Sequence, residues 1–304
     1  MTEAEKQGTD RHCGFVAIVG KPNVGKSTLL NHVLGQKVSI TSRKPQTTRH
    51  RLLGIKTTEN AQIIFVDTPG LHAGVDKALN RFMNKTVTNT ISDVDLVLFM
   101  IEGKWTQDDE LVLRSLENSR AVVLLLINKI DRMADKSSLL PYIEKLKSKY
   151  DFREIIPLSA LKNIGIEALE KVIIQYLPTG DYLYPEDQLT DKNSRFLAAE
   201  FVREKITRQM GDELPYEVNV EIEEFKLDKG VLHISALIIV EREGQKKILI
   251  GRQGQSLKLI GSEARRDMEA LFGARVMLNL WVKVKRGWSD DERALRSLGY
   301  HDQD

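Results

Sequence analysis

The chain has 304 residues, 41% of them hydrophobic, and a net charge of +2. That is long enough for two domains with real cores, and nothing in the global charge announces a polyanionic partner. One cysteine, Cys13, excludes an internal disulfide or a Cys-rich metal site, and the six histidines are scattered without ligand spacing. The longest wholly apolar run, Ala121 to Ile127, is far too short to cross a bilayer.

In chain order, Met1 to Asp10 is polar and lacks an apolar signal core, so residues 1–13 are expected to form a frayed tail of a cytoplasmic protein. The apolar run Phe15 to Val19 then leads into Gly20, Lys21, Pro22, Asn23, Val24, Gly25, Lys26 and Ser27, a GxxxxGKS loop followed by a helical Thr28 to Leu34. Glycines let consecutive amides point inward at phosphate oxygens, the Lys26 ammonium reaches the β and γ phosphates, and the Ser27 hydroxyl suits Mg²⁺. The helix beginning near Lys26 aims its positive end at the same anion. A nucleoside triphosphate site is expected.

Residues Thr41 to His50 are polar and basic and read as a mobile segment before the strand Leu52 to Thr57. In a GTPase a threonine of this segment closes on Mg²⁺ and the γ phosphate; Thr47 and Thr48 are equal candidates. Next comes Ile63 to Val66, then Asp67, Thr68, Pro69 and Gly70. A carboxylate at that strand end reaches Mg²⁺ through water, and the Gly70 amide can meet the γ phosphate. Leu71 follows, and leucine cannot orient an attacking water as glutamine does. Asn23 could instead help hold a monovalent cation such as K⁺ beside the phosphates, or simply brace its loop.

After the strand Val122 to Ile127 come Asn128, Lys129, Ile130 and Asp131. A carboxylate at Asp131 accepts two hydrogen bonds from guanine N1 and N2, which adenine does not offer, and the Lys129 stem can lie over the base. Leu158, Ser159 and Ala160 follow the strand Ile155 to Leu158 and place a backbone amide for guanine O6. Each short motif is weak alone. Together they are strong, because all four sit at strand ends, where open α/β sheets place ligands. Helices are expected over Gln107 to Glu117, Ser137 to Tyr150 and Ile166 to Tyr176.

The α/β pattern, a mostly parallel sheet covered on both faces, stops after Leu177. Pro178 to Asp187 carries proline and glycine without a period, as a domain connection does. The divisions are therefore 14–178, a connection over 179–192, and a smaller α+β domain over 193–304. In the last, Asn193 or Ser194 caps a helix ending near Gly211, Val218, Val220 and Ile222 alternate with polar residues, and Val231 to Val240 forms a second strand. Lys247 to Gly254, a helix Gln255 to Phe272 and a strand Arg275 to Val284 complete the order αββααβ. Residues 212–243 balance at −6 and residues 246–286 at +7, so one face should attract a polyanion. Within the basic half, Gly251, Arg252, Gln253 and Gly254 form a GxxG turn where bare backbone can approach a sugar-phosphate chain. Lys247, Ile250 and Lys258 flank it as further RNA contacts.

The phosphate loop KPNVGKST with PQTTRH, DTPGL, NKID, LYPEDQLTD and ILIGRQG resembles the Era family of ribosome-associated GTPases, from about the first dozen residues to the end. The resemblance implies a P-loop G domain followed by a type II KH domain, Mg²⁺-dependent hydrolysis of GTP to GDP, and a monomer. It also implies binding of the 3′ end of small-subunit ribosomal RNA, a role in maturing that subunit, and peripheral association with the inner face of the cytoplasmic membrane. Its nucleotide contacts fall on Gly20 to Thr28, Gln46, Thr47, Thr48, Arg49 and His50, Asp67 to Gly70, Asn128 to Asp131 and Leu158 to Ala160. Two other classes fit part of the chain: a signalling GTPase with a protein-binding second domain, and an RNA-binding scaffold with a vestigial nucleotide site. The basic bias around the GxxG argues against the first, and intact Lys26, Ser27, Asp67 and Asp131 against the second.

Overall fold

The computed structural model describes residues 11–70, 78–117, 119–133, 135–210, 217–298 and 300. Met1 to Asp10, Leu71 and Gly211, which carried expectations above, lie outside them. Contacts divide the chain into two units. The first comprises 1–35, 51–73 and 84–191, and the second 36–50, 74–83 and 192–304.

The first unit is built on a six-stranded sheet of β1 (His12–Val19), β2 (Leu52–Thr57), β3 (Ala61–Asp67), β4 (Leu96–Glu102), β5 (Val122–Asn128) and β6 (Glu154–Pro157), in the order β2-β3-β1-β4-β5-β6. Only β2 runs antiparallel to its neighbour. β3, β4 and β5 are near-continuous apolar runs, as strands covered on both faces must be, and Ile63, Ile64, Phe65, Leu98, Phe99 and Leu125 are fully buried. Helices α1 (Lys26–Leu34), α3 (Gln107–Leu116), α4 (Leu139–Lys147) and α5 (Ile166–Tyr176) match the expected segments within one to three residues. Helix α2 (Ala78–Ser92) adds Val87 and Ile91 to the core under β4 and β5.

The connection after Leu177 is not a loose tether. Leu189 O accepts from Ile55 N at 2.8 Å, Asp191 Oδ1 from Leu53 N at 2.9 Å, and Gln62 bonds the backbone of Leu183 and Tyr184. β2 is the sheet's edge strand, and the bonds at Leu53 and Ile55 satisfy outward amides of it.

The second unit has a three-stranded sheet, β7 (Val218–Asp228), β8 (Val231–Val240) and β9 (Arg275–Val284), with β7–β8 antiparallel and β8–β9 parallel. The parallel pair requires a crossover, supplied by α7 (Glu243–Ile250) and α8 (Gln255–Phe272). Helix α6 (Ser194–Gln209) is capped by Asn193, whose side chain accepts from Phe196 N at 2.9 Å. The expected αββααβ order is present. A short helix α9 (Glu292–Ser297), not foreseen from the sequence, brings Trp288, Leu295 and Tyr300 into a cluster with Ala78, Leu79 and Met83.

The basic segment 41–50 is not a solvated loop. Within the second unit, Thr47 O accepts from Arg203 Nη2 at 2.5 Å, Thr41 N donates to Glu204 Oε1 at 2.8 Å, and fully buried Arg49 donates to Val218 O at 2.8 Å and Tyr300 Oη at 3.3 Å. Its polar, basic composition marked it as a mobile segment. Carboxylates and carbonyls of the second unit provide the partners instead.

Candidate nucleotide site and nucleic-acid groove

The phosphate loop leaves β1 through Gly20, whose φ is 152° and where an added Cβ would lie 2.4 Å from Met100 O, so only glycine fits this turn. Buried Lys26 bends back: its Nζ donates to Gly20 O at 2.9 Å and Lys21 O at 3.1 Å. Burial pulls its ammonium down to about 8, with the Asp67 charge opposing. Ser27 Oγ donates to Asp67 Oδ2 at 2.8 Å, and Thr68 Oγ1 donates to Ile18 O at 2.9 Å, fixing the β3 end beside the loop. Gly70 lies against Pro22: a Cβ there would meet Pro22 N at 2.8 Å. Hydroxyl and carboxylate oxygens side by side are the hard donors Mg²⁺ prefers, so Ser27 and Asp67 fit that ion.

On the base side, Lys129 adopts φ 64° and donates from Nζ to Asn23 O at 2.7 Å, and it also pairs with Glu102. Exposed Asp131 accepts from Ser159 Oγ at 2.5 Å, and that hydroxyl holds the carboxyl below the usual carboxylate range. Leu158 and Ala160 are buried, and the turn after β6 is closed by paired backbone bonds between Ser159 and Ile164 at 3.0 Å.

The structure thus gathers Gly20 to Thr28, Asp67 to Gly70, Asn128 to Asp131 and Leu158 to Ala160 in the first unit. Gln46, Thr47, Thr48, Arg49 and His50 belong to the second. There Thr47 Oγ1 donates to Lys44 O at 2.7 Å and Gln46 Nε2 to Asn80 Oδ1 at 3.1 Å. His50 stacks on Tyr300, ring centroids 4.4 Å apart, and burial lowers its imidazole to about 4. Sequence reasoning gave Asn128 only as part of a motif. In the structure it is a buried brace, reached by Ala160 N at 2.9 Å.

In the second unit, Gly251 has φ 71°, and a Cβ there would lie 2.7 Å from Ser256 Cβ, so the turn from α7 into α8 needs a glycine. Arg252 and Gln253 stand exposed between the two glycines, as do Lys247 and Lys258 beside them, while Ile250 is half-buried. Between α8 and β9 runs a groove of about 590 Å³. Gly254 and Lys258 line it, together with Gly261, Arg265, Met277 and Asn279, which sequence reasoning did not single out. The signal was present as a helical stripe, Gly254, Lys258, Gly261 and Arg265 recurring at three- and four-residue spacing. The groove offers half-buried glycine backbone at its mouth, an apolar floor and basic side chains on one wall, the combination that holds unstacked bases and their phosphates.

The fold and the first site define a P-loop GTPase that carries a KH domain. A sequence profile described as "50S ribosome-binding GTPase" matches residues 15–129, and one described as "KH domain" matches residues 213–289. GTPase Era of Pseudomonas fluorescens is 60% identical over 291 residues, covering 95% of this chain and 97% of that protein. GTPase Era of Pseudomonas syringae pv. tomato is 60% identical over 295 residues, covering 97% and 98%. A solved structure of Era in complex with MgGDPNP and nucleotides 1506–1542 of 16S ribosomal RNA is 43% identical, with a TM-score of 0.92 over 96% of this chain and 100% of that one. A variant of Aquifex aeolicus Era bound to GDP·AlF4⁻ is 42% identical, with the same TM-score and coverage. The chain belongs to the Era family of GTPases.

Proposed function

We propose that this GTPase binds the 3′ end of small-subunit ribosomal RNA through its KH groove and assists maturation of that subunit, its nucleotide state setting the affinity. The observation that carries this reading is the groove between α8 and β9, lined by Lys258 and Arg265 and beginning at Gly254, with exposed Arg252 on the turn just before it. The relative solved with a 16S ribosomal RNA segment supports it. The domain division 14–178, 179–192 and 193–304 accompanies this reading.

In the nucleotide site, the backbone N–H groups of residues 20–27, Pro22 excepted, face the phosphates, and Lys26 exchanges its carbonyl partners for phosphate oxygens. Ser27 and Asp67 hold Mg²⁺, with Thr47 or Thr48 joining when the triphosphate is bound. Bound Mg²⁺ neutralises charge that develops on the β and γ oxygens. The Gly70 amide meets the γ phosphate, Asp131 reads guanine N1 and N2, and a backbone amide of the turn at Ser159 and Ala160 donates to O6. Asn23, whose carbonyl already engages Lys129, would offer its side-chain amide oxygen to K⁺, and that ion would supply the positive charge that an arginine finger supplies elsewhere. The protein acts as a monomer in the cytoplasm, with peripheral contact to the membrane's inner face.

The deciding experiment measures binding of a single-stranded RNA carrying the 3′ end of 16S ribosomal RNA to the full chain with GDP and with a non-hydrolysable GTP analogue. Tighter binding in the triphosphate state is expected. Equal, salt-insensitive binding of any RNA in both states would overturn it.

A further inference from the structure

Lys21, the second residue of the phosphate loop, is only 12% exposed at its side chain, and its Nζ lies 3.1 Å from Asp109 Oδ2 and 3.3 Å from Thr106 Oγ1. Asp109 is fully buried on the first turn of α3, and Thr106 is that helix's N-cap. The cap is reciprocal: Thr106 Oγ1 accepts from Asp109 N, while Asp109 Oδ2 accepts from Thr106 N at 2.9 Å and Thr106 Oγ1 at 2.6 Å. A capping box needs no lysine. Here one arrives from another part of the chain and gives the buried carboxylate its counter-charge, without which burial of the ion would be costly.

Lys21 lies between two tight backbone contacts, Gly20 against Met100 O and Pro22 against Gly70. Its own carbonyl accepts from Lys26 Nζ. The stretch that sets the direction of the loop's first amides is therefore held on the phosphate side by Lys26 and on the far side by Asp109. Burial pushes the Tyr142 hydroxyl up to about 12, and Asp109 nearby adds to that rise.

We propose that Asp109 is a positioning residue of the nucleotide site: through Lys21 it holds the phosphate loop in its anion-binding shape, and so sets how long a guanine nucleotide stays bound. The inference rests on the nucleotide site described above. Asp109 touches neither nucleotide nor metal.

The test follows release of a fluorescent GDP from the full chain, together with thermal unfolding and single-turnover hydrolysis of bound GTP. Asp109→Asn keeps acceptors for the cap but loses the charge that holds Lys21, and release about tenfold faster is expected, with hydrolysis of already bound GTP changed less than twofold. Asp109→Glu, which preserves both box and charge, should return release to within about threefold of the parent. The neutral pair Lys21→Met with Asp109→Asn removes the unpaired buried ion, so its unfolding temperature should approach the parent's while release stays fast. Parent-like release in Asp109→Asn, or full restoration of release in the neutral pair, would mean that the ion pair only stabilises the fold. A parent that does not bind GDP would instead overturn the nucleotide site itself.

Discussion

Asn128 donates from Nδ2 to Val24 O at 2.7 Å, so the base-recognition motif and the phosphate loop are tied by a single buried amide. Its Oδ1 accepts from Ala160 N at 2.9 Å, which adds the third loop to the same brace. Asn128→Ala orphans a carbonyl and an amide in a dry site, at roughly 1–3 kcal/mol each. Denaturant unfolding should report a loss of about that size. GDP affinity should fall more than tenfold, because both ends of the nucleotide lose their relative placement. A stability loss with parent-like affinity would reduce Asn128 to a packing role.

Base choice should rest on Asp131. Asp131→Asn removes the paired acceptor and supplies a donor that matches the xanthine carbonyl, so binding should move from GTP toward XTP. Competition titrations of the two nucleotides measure it, and an unchanged preference would sink the assignment.

Nucleotide binding should take up a proton near pH 8.5. In the free chain burial holds Lys26 at about 8, whereas phosphate oxygens favour its charged form and raise that value on binding. Below about pH 7 the ammonium is already present, and no uptake arises here. As pH rises through 8 the free chain loses its proton and affinity falls, by no more than about tenfold per pH unit. Calorimetry at pH 8.5 in two buffers with different ionisation heats reads the uptake directly. Identical heats would show that Lys26 stays charged in the free chain.

His50 should make the second unit acid-sensitive. Its folded value of about 4 lies below the ordinary 6.5, so the unfolded chain binds the proton first as pH falls. The stabilisation is complete above about pH 6.5 and is lost progressively toward pH 4, roughly 3 kcal/mol over the window. Thermal unfolding from pH 7 to 4.5 should show the decline, and His50→Phe should flatten it. Parallel slopes for parent and variant would assign the acid loss to other groups.

RNA affinity should depend on the turn between the two glycines. Arg252→Asp with Gln253→Asp places two negative charges where phosphates come close, and aspartate tolerates the positive φ of 50° at position 253. Affinity for single-stranded RNA should fall at least tenfold at low salt and its salt dependence should flatten, with GDP binding unchanged. A parent-like RNA titration across the salt series would make this turn structural only.

Much of the sheet was legible because β1, β3 and β5 are apolar runs that end at the motif residues Gly20, Asp67 and Asn128. The capped helix at Asn193 and the alternation of Val218, Val220 and Ile222 were legible for similar local reasons. What could not be read was the non-local chemistry. Arg49 looks solvated until its partners, Val218 O and the Tyr300 hydroxyl, are brought to it from distant positions. Asp109 is one more helix-cap carboxylate until Lys21 reaches it. The connection after Leu177 has no period because it bonds to another strand's edge instead of forming its own element. Each case is a polar side chain or backbone group satisfied across a long stretch of sequence, which no periodicity encodes.

The second unit draws on three separate stretches of chain, and this limits its use as a transplantable module. Ile40 sits in the same core as Phe201, Ile238 and Met268, and Leu79 and Met83 pack with Trp288 and Tyr300. A fragment cut at residue 193 carries the whole αββααβ order yet leaves those three apolar plugs behind, together with the backbone that Arg203 and Glu204 grip. Grafting another RNA-binding domain onto this GTPase would therefore need matched edits near residues 40 and 80 as well as at the obvious junction. Drift at those positions is tied to drift in the C-terminal half, so the two ends of the gene are expected to evolve as partners.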